Sequence, residues 1–300
     1  MRIKTALIAS AMMLVAGPAM AERAWLLPSA TIFSENEWVS FDAGVSSDPF
    51  HPDHQPTQLA AIKITQPDGQ EGKIENAITA RYRSSFDIHL DKPGTWRVST
   101  VDSRVMGSFK VDGEEWRVGG RRGPPPGANA GANGGAGAPQ PGGQGAQGGQ
   151  AGPKFVSSVD EIPANATDIQ ITESAGRDDV FVTAGSPTNA VFQPTGKGLE
   201  MVPVTHPTEL LSDEPGKLRF LVDGKPAAGL KVTIVPDGKR YRNNENAMEL
   251  TTGADGLVTI KWPGAGMYWL NATLTDNHPS VAKATQRRMS YTATLEVMQP

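Results

Sequence analysis

The 300-residue chain contains no cysteine. That excludes disulfides, thiolate metal sites, a lipid-modified cysteine anchor and cysteine nucleophiles together. Histidine is scarce, with five in all: His51, His54, His89, His206 and His278. After residue 21 no apolar run is long enough to cross a bilayer. No long stretch has the period of an amphipathic helix. The GxSxG, HExxH and phosphate-loop patterns are missing as well. Nothing in the spacing therefore marks a nucleophile, a helical zinc site or a nucleotide cradle. The expectation is a protein that is not an enzyme.

What is present begins with an export signature. Residues 1–21 carry Arg2 and Lys4, an apolar run over 6–16, and Ala19-Met20-Ala21. A charged start, a short apolar core and a small-x-small triplet read as a secretory signal peptide cleaved after Ala21. The mature chain would start Glu22-Arg23-Ala24-Trp25, in the periplasm, and would not span a membrane. Losing Arg2 and Lys4 leaves 26 basic residues against 32 acidic and moves the formal charge from −4 to −6. An acidic chain argues against a nucleic-acid partner.

The remainder is patterned for strands. Residues 218–222, 229–235, 256–262 and 267–274 read as strands, separated by Asp223-Gly224, Asp255-Gly256 and Pro263-Gly264 turns. In the first half, residues 38–45, 59–65, 86–90 and 95–101 read likewise, and 108–111 pairs with 115–118 across Asp112-Gly113. Short strands broken by turn residues about every ten positions predict an all-β chain of two immunoglobulin-like sandwiches. Residues 119–153 are Gly, Pro, Ala, Gln and Asn with almost no apolar bulk. Such a stretch cannot bury enough surface to offset its ordering entropy and is expected to be disordered. The expected division is a signal peptide (1–21), a first sandwich (22–118), the low-complexity loop (119–153), strands completing the first sandwich and crossing over (154–203), and a second sandwich (204–300).

Several motifs in order carry a resemblance. These are Trp25-Leu26-Leu27-Pro28, then Thr183-Ala184-Gly185-Ser186-Pro187-Thr188, then Gly198-Leu199-Glu200-Met201-Val202-Pro203. Asp223-Gly224-Lys225-Pro226, Thr251-Thr252-Gly253-Ala254-Asp255-Gly256 and Pro263-Gly264-Ala265-Gly266-Met267-Tyr268 follow. In this order they resemble a bacterial periplasmic family, domain of unknown function 4198, whose members are associated with nickel and cobalt uptake. The second half alone is similar to transthyretin-like and carboxypeptidase-regulatory-like modules. The resemblance implies a non-catalytic periplasmic accessory protein that binds a divalent transition metal and serves an uptake transporter or outer-membrane receptor. Many members begin the mature chain with a chelating histidine. Here Glu22 stands at that place, so an amino-terminal histidine site does not carry over.

Without thiolates, imidazole is the natural ligand for nickel, cobalt, copper or zinc. His51-Pro52-Asp53-His54 is the densest group, on a loop flanked by Pro49 and Pro56. A loop can turn both rings inward, whereas a strand would put them on opposite faces. His89, on a strand with Asp87 two residues before it, is the expected distant ligand, and Asp87 the expected partner orienting its ring. The expected metal set is thus His51, Asp53, His54 and His89, against the competing reading of a solvated polar loop. His206 and His278 each precede proline and read as turn residues. The second functional class is a structural or adhesion module binding a protein or glycan partner. Arg81-Tyr82-Arg83, Arg240-Tyr241-Arg242 and the six tryptophans leave that class open. Trp25, Trp38, Trp96, Trp262 and Trp269 read as core, and Trp116 as exposed.

Overall fold

The computed structural model describes residues 22–119 and 154–300. The expected signal peptide and all but the first residue of the low-complexity stretch lie outside the described residues. The first half holds β1 (Arg23–Pro28), β2 (Ile32–Phe33), β3 (Glu37–Ser46), β4 (Gln55–Pro56), β5 (Ile62–Thr65), β6 (Glu75–Thr79), β7 (Ser84–Leu90), β8 (Gly94–Val111) and β9 (Glu114–Val118). Then come β10 (Lys154–Val156) and β11 (Thr167–Ala184). The second half holds β12 (Leu199–Pro203), β13 (Gly216–Val222), β14 (Lys225–Pro226), β15 (Lys231–Pro236), β16 (Met248–Thr251), β17 (Leu257–Ile260), β18 (Gly266–Asp276) and β19 (Gln286–Val297). The chain is all-β, as the period-two patterning predicts. β7 shows the cause in its simplest form: Ser84, Phe86, Ile88 and Leu90 are buried, while Ser85, Asp87 and His89 between them face outward.

Three sheets make two sandwiches. One small sheet runs β1-β3-β7-β6, with β4 against β3. The other runs β12-β13-β14, with β17 against β13. The large sheet runs β10-β9-β8-β11-β19-β18-β15-β16 and serves both sandwiches. Its two halves join where β11 lies antiparallel to β8 on one side and parallel to β19 on the other. Residues 154–203 therefore supply the strand at the seam.

β11 is buried on both faces from Asp178 to Ala184. Val180 and Val182 enter the first core, with Leu26, Phe41, Phe86, Ile88, Trp96 and Val98. Phe181 enters the second, with Leu218, Phe220, Ile260, Leu270, Tyr291 and Leu295. Alternate side chains of one strand thus feed two cores, the consequence of a period of two in a strand covered on both sides. Each fully buried side chain of this size contributes about 1.5–3 kcal/mol. β8 is a single strand through a polar middle that reads as a break in the sequence. The expected 108–111/115–118 hairpin closes through Asp112 (φ 51°) and Gly113 (φ 83°). Trp38 departs from expectation. It lies on the outer face of β3, 48% exposed. Trp116, expected to be exposed, is half-buried and stacks on Phe109 at 6.1 Å.

The seam also contains polar groups. On the second-core side, Asp179 accepts a hydrogen bond from Tyr291 Oη at 2.9 Å and pairs with Arg177. On the other side Asp178 is buried with Oδ1 unpartnered. Desolvation, reinforced by the Asp179 charge, pushes its carboxyl well above the usual range. His206 opens a turn, as expected, with Glu209 N donating to its carbonyl at 2.9 Å, and its side chain is buried. Thr208 N donates to its Nδ1 at 3.2 Å, and its Nε2 lies 3.2 Å from Thr188 O and 3.1 Å from Thr95 Oγ1. Burial lowers its pKa, opposed by the Thr188 carbonyl and Glu209.

Two outcomes follow for stability. A buried carboxyl with a raised folded pKa costs stability above its unfolded pKa and costs nothing below it. Asp178→Asn should therefore raise unfolding stability at pH 7, by about 1–3 kcal/mol, with the gain vanishing toward pH 4, read by urea denaturation. His206 has the opposite sign. Its folded pKa is depressed, so its contribution is complete above about pH 6.5 and is lost as pH falls through the lower folded value. His206→Gln should flatten the fall of the urea midpoint between pH 7 and pH 5.

Candidate functional site

The loop between β3 and β4 carries three of the four expected ligands and lies against the second sandwich. Ser46 starts the turn: its hydroxyl accepts from Trp25 Nε1 at 2.8 Å and donates to Asp48 O at 2.5 Å. Phe50 adopts φ 69°, a left-handed conformation that a bulky side chain rarely takes. Such a conformation costs about 1–3 kcal/mol. The ring is buried among Trp25, Val235 and Trp269, and burying a phenylalanine contributes about 1.5–3 kcal/mol. The two terms are of one size, so the loop is held by a plug reaching into the joint between the sandwiches.

That plug orients His51, the next residue. Its Nε2 is buried and lies 3.2 Å from Asp237 Oδ1, out of hydrogen-bond alignment. Asp237 follows β15, and its Oδ1 accepts from Gly238 N at 2.5 Å. The neighbouring contacts are charged. Arg23 makes a two-point pair with Glu245, and its guanidinium lies 5.0 Å from the Trp269 ring centre. The Arg23 hydrogen bonds hold the Glu245 carboxyl below its usual range.

The expected set does not converge. Asp53 and His54 form an ion pair with each other through Oδ1 and Nδ1. Burial raises the Asp53 carboxyl, but the His54 hydrogen bond and the Ser47 amide outweigh it and leave its pKa lowered. The same bond raises the His54 pKa and favours the imidazolium, which cannot ligate a metal. His89 is opposite Trp38 in the β3–β7 register and stacks on its ring at 4.6 Å. Trp38 and Ser46 are eight positions apart on β3, about 27 Å at about 3.4 Å per residue. His89 is thus at the far end of the strand from the loop. Asp87 does not orient His89. Its oxygens accept from Ser40 Oγ at 2.6 Å and Asn76 Nδ2 at 2.9 Å. His278 is exposed, 4.0 Å from Asp276. Among the described residues, no group of three or more His, Asp or Glu is placed to hold a metal ion.

Two site residues were invisible in the sequence reading. Asp237 is far from His51 along the chain, and only the docking of the sandwiches brings them together. Nothing in the residues around Phe50 marks its left-handed backbone. Another charged cluster, Arg97, Arg177, Asp179, Glu200 and Tyr291, fills the second-core side of the seam. Its carboxylates are occupied: Glu200 accepts from Thr195 N, Thr195 Oγ1 and Gly196 N. Desolvation keeps the Tyr291 hydroxyl protonated, its pKa well above the ordinary value. The cluster's carboxylates are spent on holding the seam together, while Arg97 Nε is buried without a hydrogen bond.

Similarity to known proteins adds a family and little beyond it. No curated protein matches the chain. Among solved structures, the D0-D1 domain of intimin matches at 10% identity over 90% of this chain and 97% of its own, with a TM-score of 0.19. A DUF4785 family protein from Legionella pneumophila matches at 7% identity over 82% of this chain and 50% of its own, with a TM-score of 0.22. The I-band fragment I67-I69 of titin matches at 11% identity over 94% and 68%, with a TM-score of 0.20. A family model described as a domain of unknown function, DUF4198, matches residues 19–276. That span takes in both sandwiches up to the end of β18, and the chain belongs to the DUF4198 family.

Proposed function

We propose that the protein is an exported, non-catalytic accessory protein that holds a divalent transition metal at the joint between its sandwiches. His51 and Asp237 supply the protein donors. One observation carries the reading: His51 Nε2 is buried beside a carboxylate yet makes no hydrogen bond. An imidazole nitrogen left so is costly, by about 1–3 kcal/mol, unless something else takes its lone pair. Its 3.2 Å separation from Asp237 Oδ1 is that of neighbouring ligands on one ion with bonds of about 2.0–2.2 Å. Two protein donors leave the remaining positions to solvent or to a partner. Such an open site suits a protein that passes its ion to an uptake transporter or an outer-membrane receptor. Asp53, His54 and His89 are not ligands in this scheme.

Calorimetry on the chain from Glu22 onward, with nickel, cobalt, copper and zinc, tests this. At least one ion should bind more tightly than about 10 μM, roughly −7 kcal/mol. His51→Ala and Asp237→Ala should each weaken it at least tenfold, while His89→Ala leaves it unchanged. No binding by any of the four ions overturns the reading. Binding that survives both substitutions overturns the site.

A further inference from the structure

The outer face of the first small sheet bears an aromatic residue that neither core uses. Trp38 is 48% exposed, and its ring lies on His89 at 4.6 Å with the two planes 15° apart. With one ring face on the imidazole, the exposure falls on the other face and the edges. The stack pins the indole against the sheet. Two rows follow along β3 and β7, Ser40 opposite Asp87 and Asp42 opposite Ser85. β6 adds Asn76 beside Asp87, and Ile78, 62% exposed, opposite Ser85.

A groove of about 280 Å³ lies along these two rows. Six of its ten lining residues carry a hydroxyl, amide or carboxylate: Ser29, Ser40, Asp42, Asn76, Ser85 and Asp87. Most of these groups are already arranged by one another. Asp87 accepts from Ser40 Oγ and Asn76 Nδ2, while Asp42 accepts from Ser85 Oγ and pairs with Arg83 at 3.4 Å. The Ser40 and Asn76 bonds hold the Asp87 carboxyl below its usual range. A carboxylate has about four acceptor positions, so each aspartate keeps lone pairs for further donors. Asp42, Asp87 and Glu75, the residue opposite Asp87 on β6, outnumber Arg83. The patch therefore repels polyanions.

We propose that this face binds a neutral glycan, one sugar ring laid on Trp38 and the hydroxyls of the following units donated to Asp87 and Asp42. A sugar ring joins an apolar face to a rim of hydroxyls, and an indole with a free face suits the first. Ionised carboxylates accept hydroxyl donors in charge-assisted bonds, and serine hydroxyls and the Asn76 amide both donate and accept. β3 and β7 are inner strands of their sheet. Their backbone groups are spent on the ladders, so a peptide cannot add here as a further strand. Asp42 has its counter-charge in Arg83 and Asp87 spreads its charge over two hydrogen bonds, which leaves lone pairs suited to uncharged donors. Trp38 and Asp42 are four positions apart, about 14 Å at about 3.4 Å per residue, so the ligand is a chain of sugar units rather than one. This inference is independent of the metal reading.

The test is affinity electrophoresis of the chain from Glu22 through gels containing laminarin, hydroxyethyl cellulose, galactomannan or dextran, with EDTA present to remove metal. At least one of these neutral polysaccharides should retard the protein, and added salt should leave the retardation in place. Trp38→Ala should weaken that binding at least tenfold and Asp87→Ala severalfold. Trp38→Phe should restore part of it, and His51→Ala should leave it unchanged. Trp38 and Asp87 lie outside both cores, so the thermal midpoints of these variants should stay close to that of the parent. No retardation by any of the four polysaccharides, or full retardation of Trp38→Ala, overturns the proposal. Retention on a poly-L-lysine resin that Trp38→Ala loses, without retardation by a glycan, also overturns it and assigns the face to a basic peptide.

Discussion

The structure depends on the parallel pairing of β11 with β19. The registered contact runs from Thr172 opposite Gln286 to Val180 opposite Thr294. It joins two half-sheets into one and makes β11 an interior strand. A strand in that position has no solvent face over its buried half. Its alternate residues must satisfy two cores at once, Val180 and Val182 in one and Phe181 in the other. A substitution on either face of this strand perturbs one sandwich directly and the other through the shared backbone.

The same constraint explains where the polar residues of the seam go. Asp178 and Asp179 are adjacent and point to opposite faces. Asp179 finds Tyr291 and Arg177, while Asp178 leaves an oxygen unpartnered. At the other end of the pairing, Arg287 spans Asp223 and Asp276, with both closest contacts at 2.7 Å. Its hydrogen bonds lower both carboxyls. That arginine ties β19 to the β13–β14 turn and to the end of β18. A paired charge anchors one end of the contact, and near the other end Asp178 leaves a buried carboxyl oxygen unpartnered.

Period-two alternation in stretches such as 84–90 is local, so the strand content was legible from residues alone. The seam was not. Residues 179–183 read as a strand, but nothing local says that its parallel neighbour lies more than a hundred residues onward. β8 was read as two pieces because residues 102–108 are polar. They are polar because one face of them lines an open groove on the large sheet, a consequence of tertiary position. The candidate site divides in the same way. A loop holding His51, Asp53 and His54 could be read from its prolines. The partner of His51 could not, because Asp237 arrives by the docking of two sandwiches. His89 was misplaced because register along β3, unseen in sequence, sets it at the far end.

Phe50 links fold and site most directly. Its left-handed backbone is tolerated because its ring fills the gap among Trp25, Val235 and Trp269, residues drawn from both sandwiches. The strain and the burial are nearly equal on the magnitudes given above, so the loop conformation exists only while the joint is closed. His51 is then one residue away from a contact sensitive to how the sandwiches sit against each other. Its approach to Asp237 is therefore set by the relation of the two sandwiches as much as by the loop's own sequence. A partner that pulled on either sandwich would alter the separation of His51 and Asp237. A metal site placed there would be coupled to docking by its position alone.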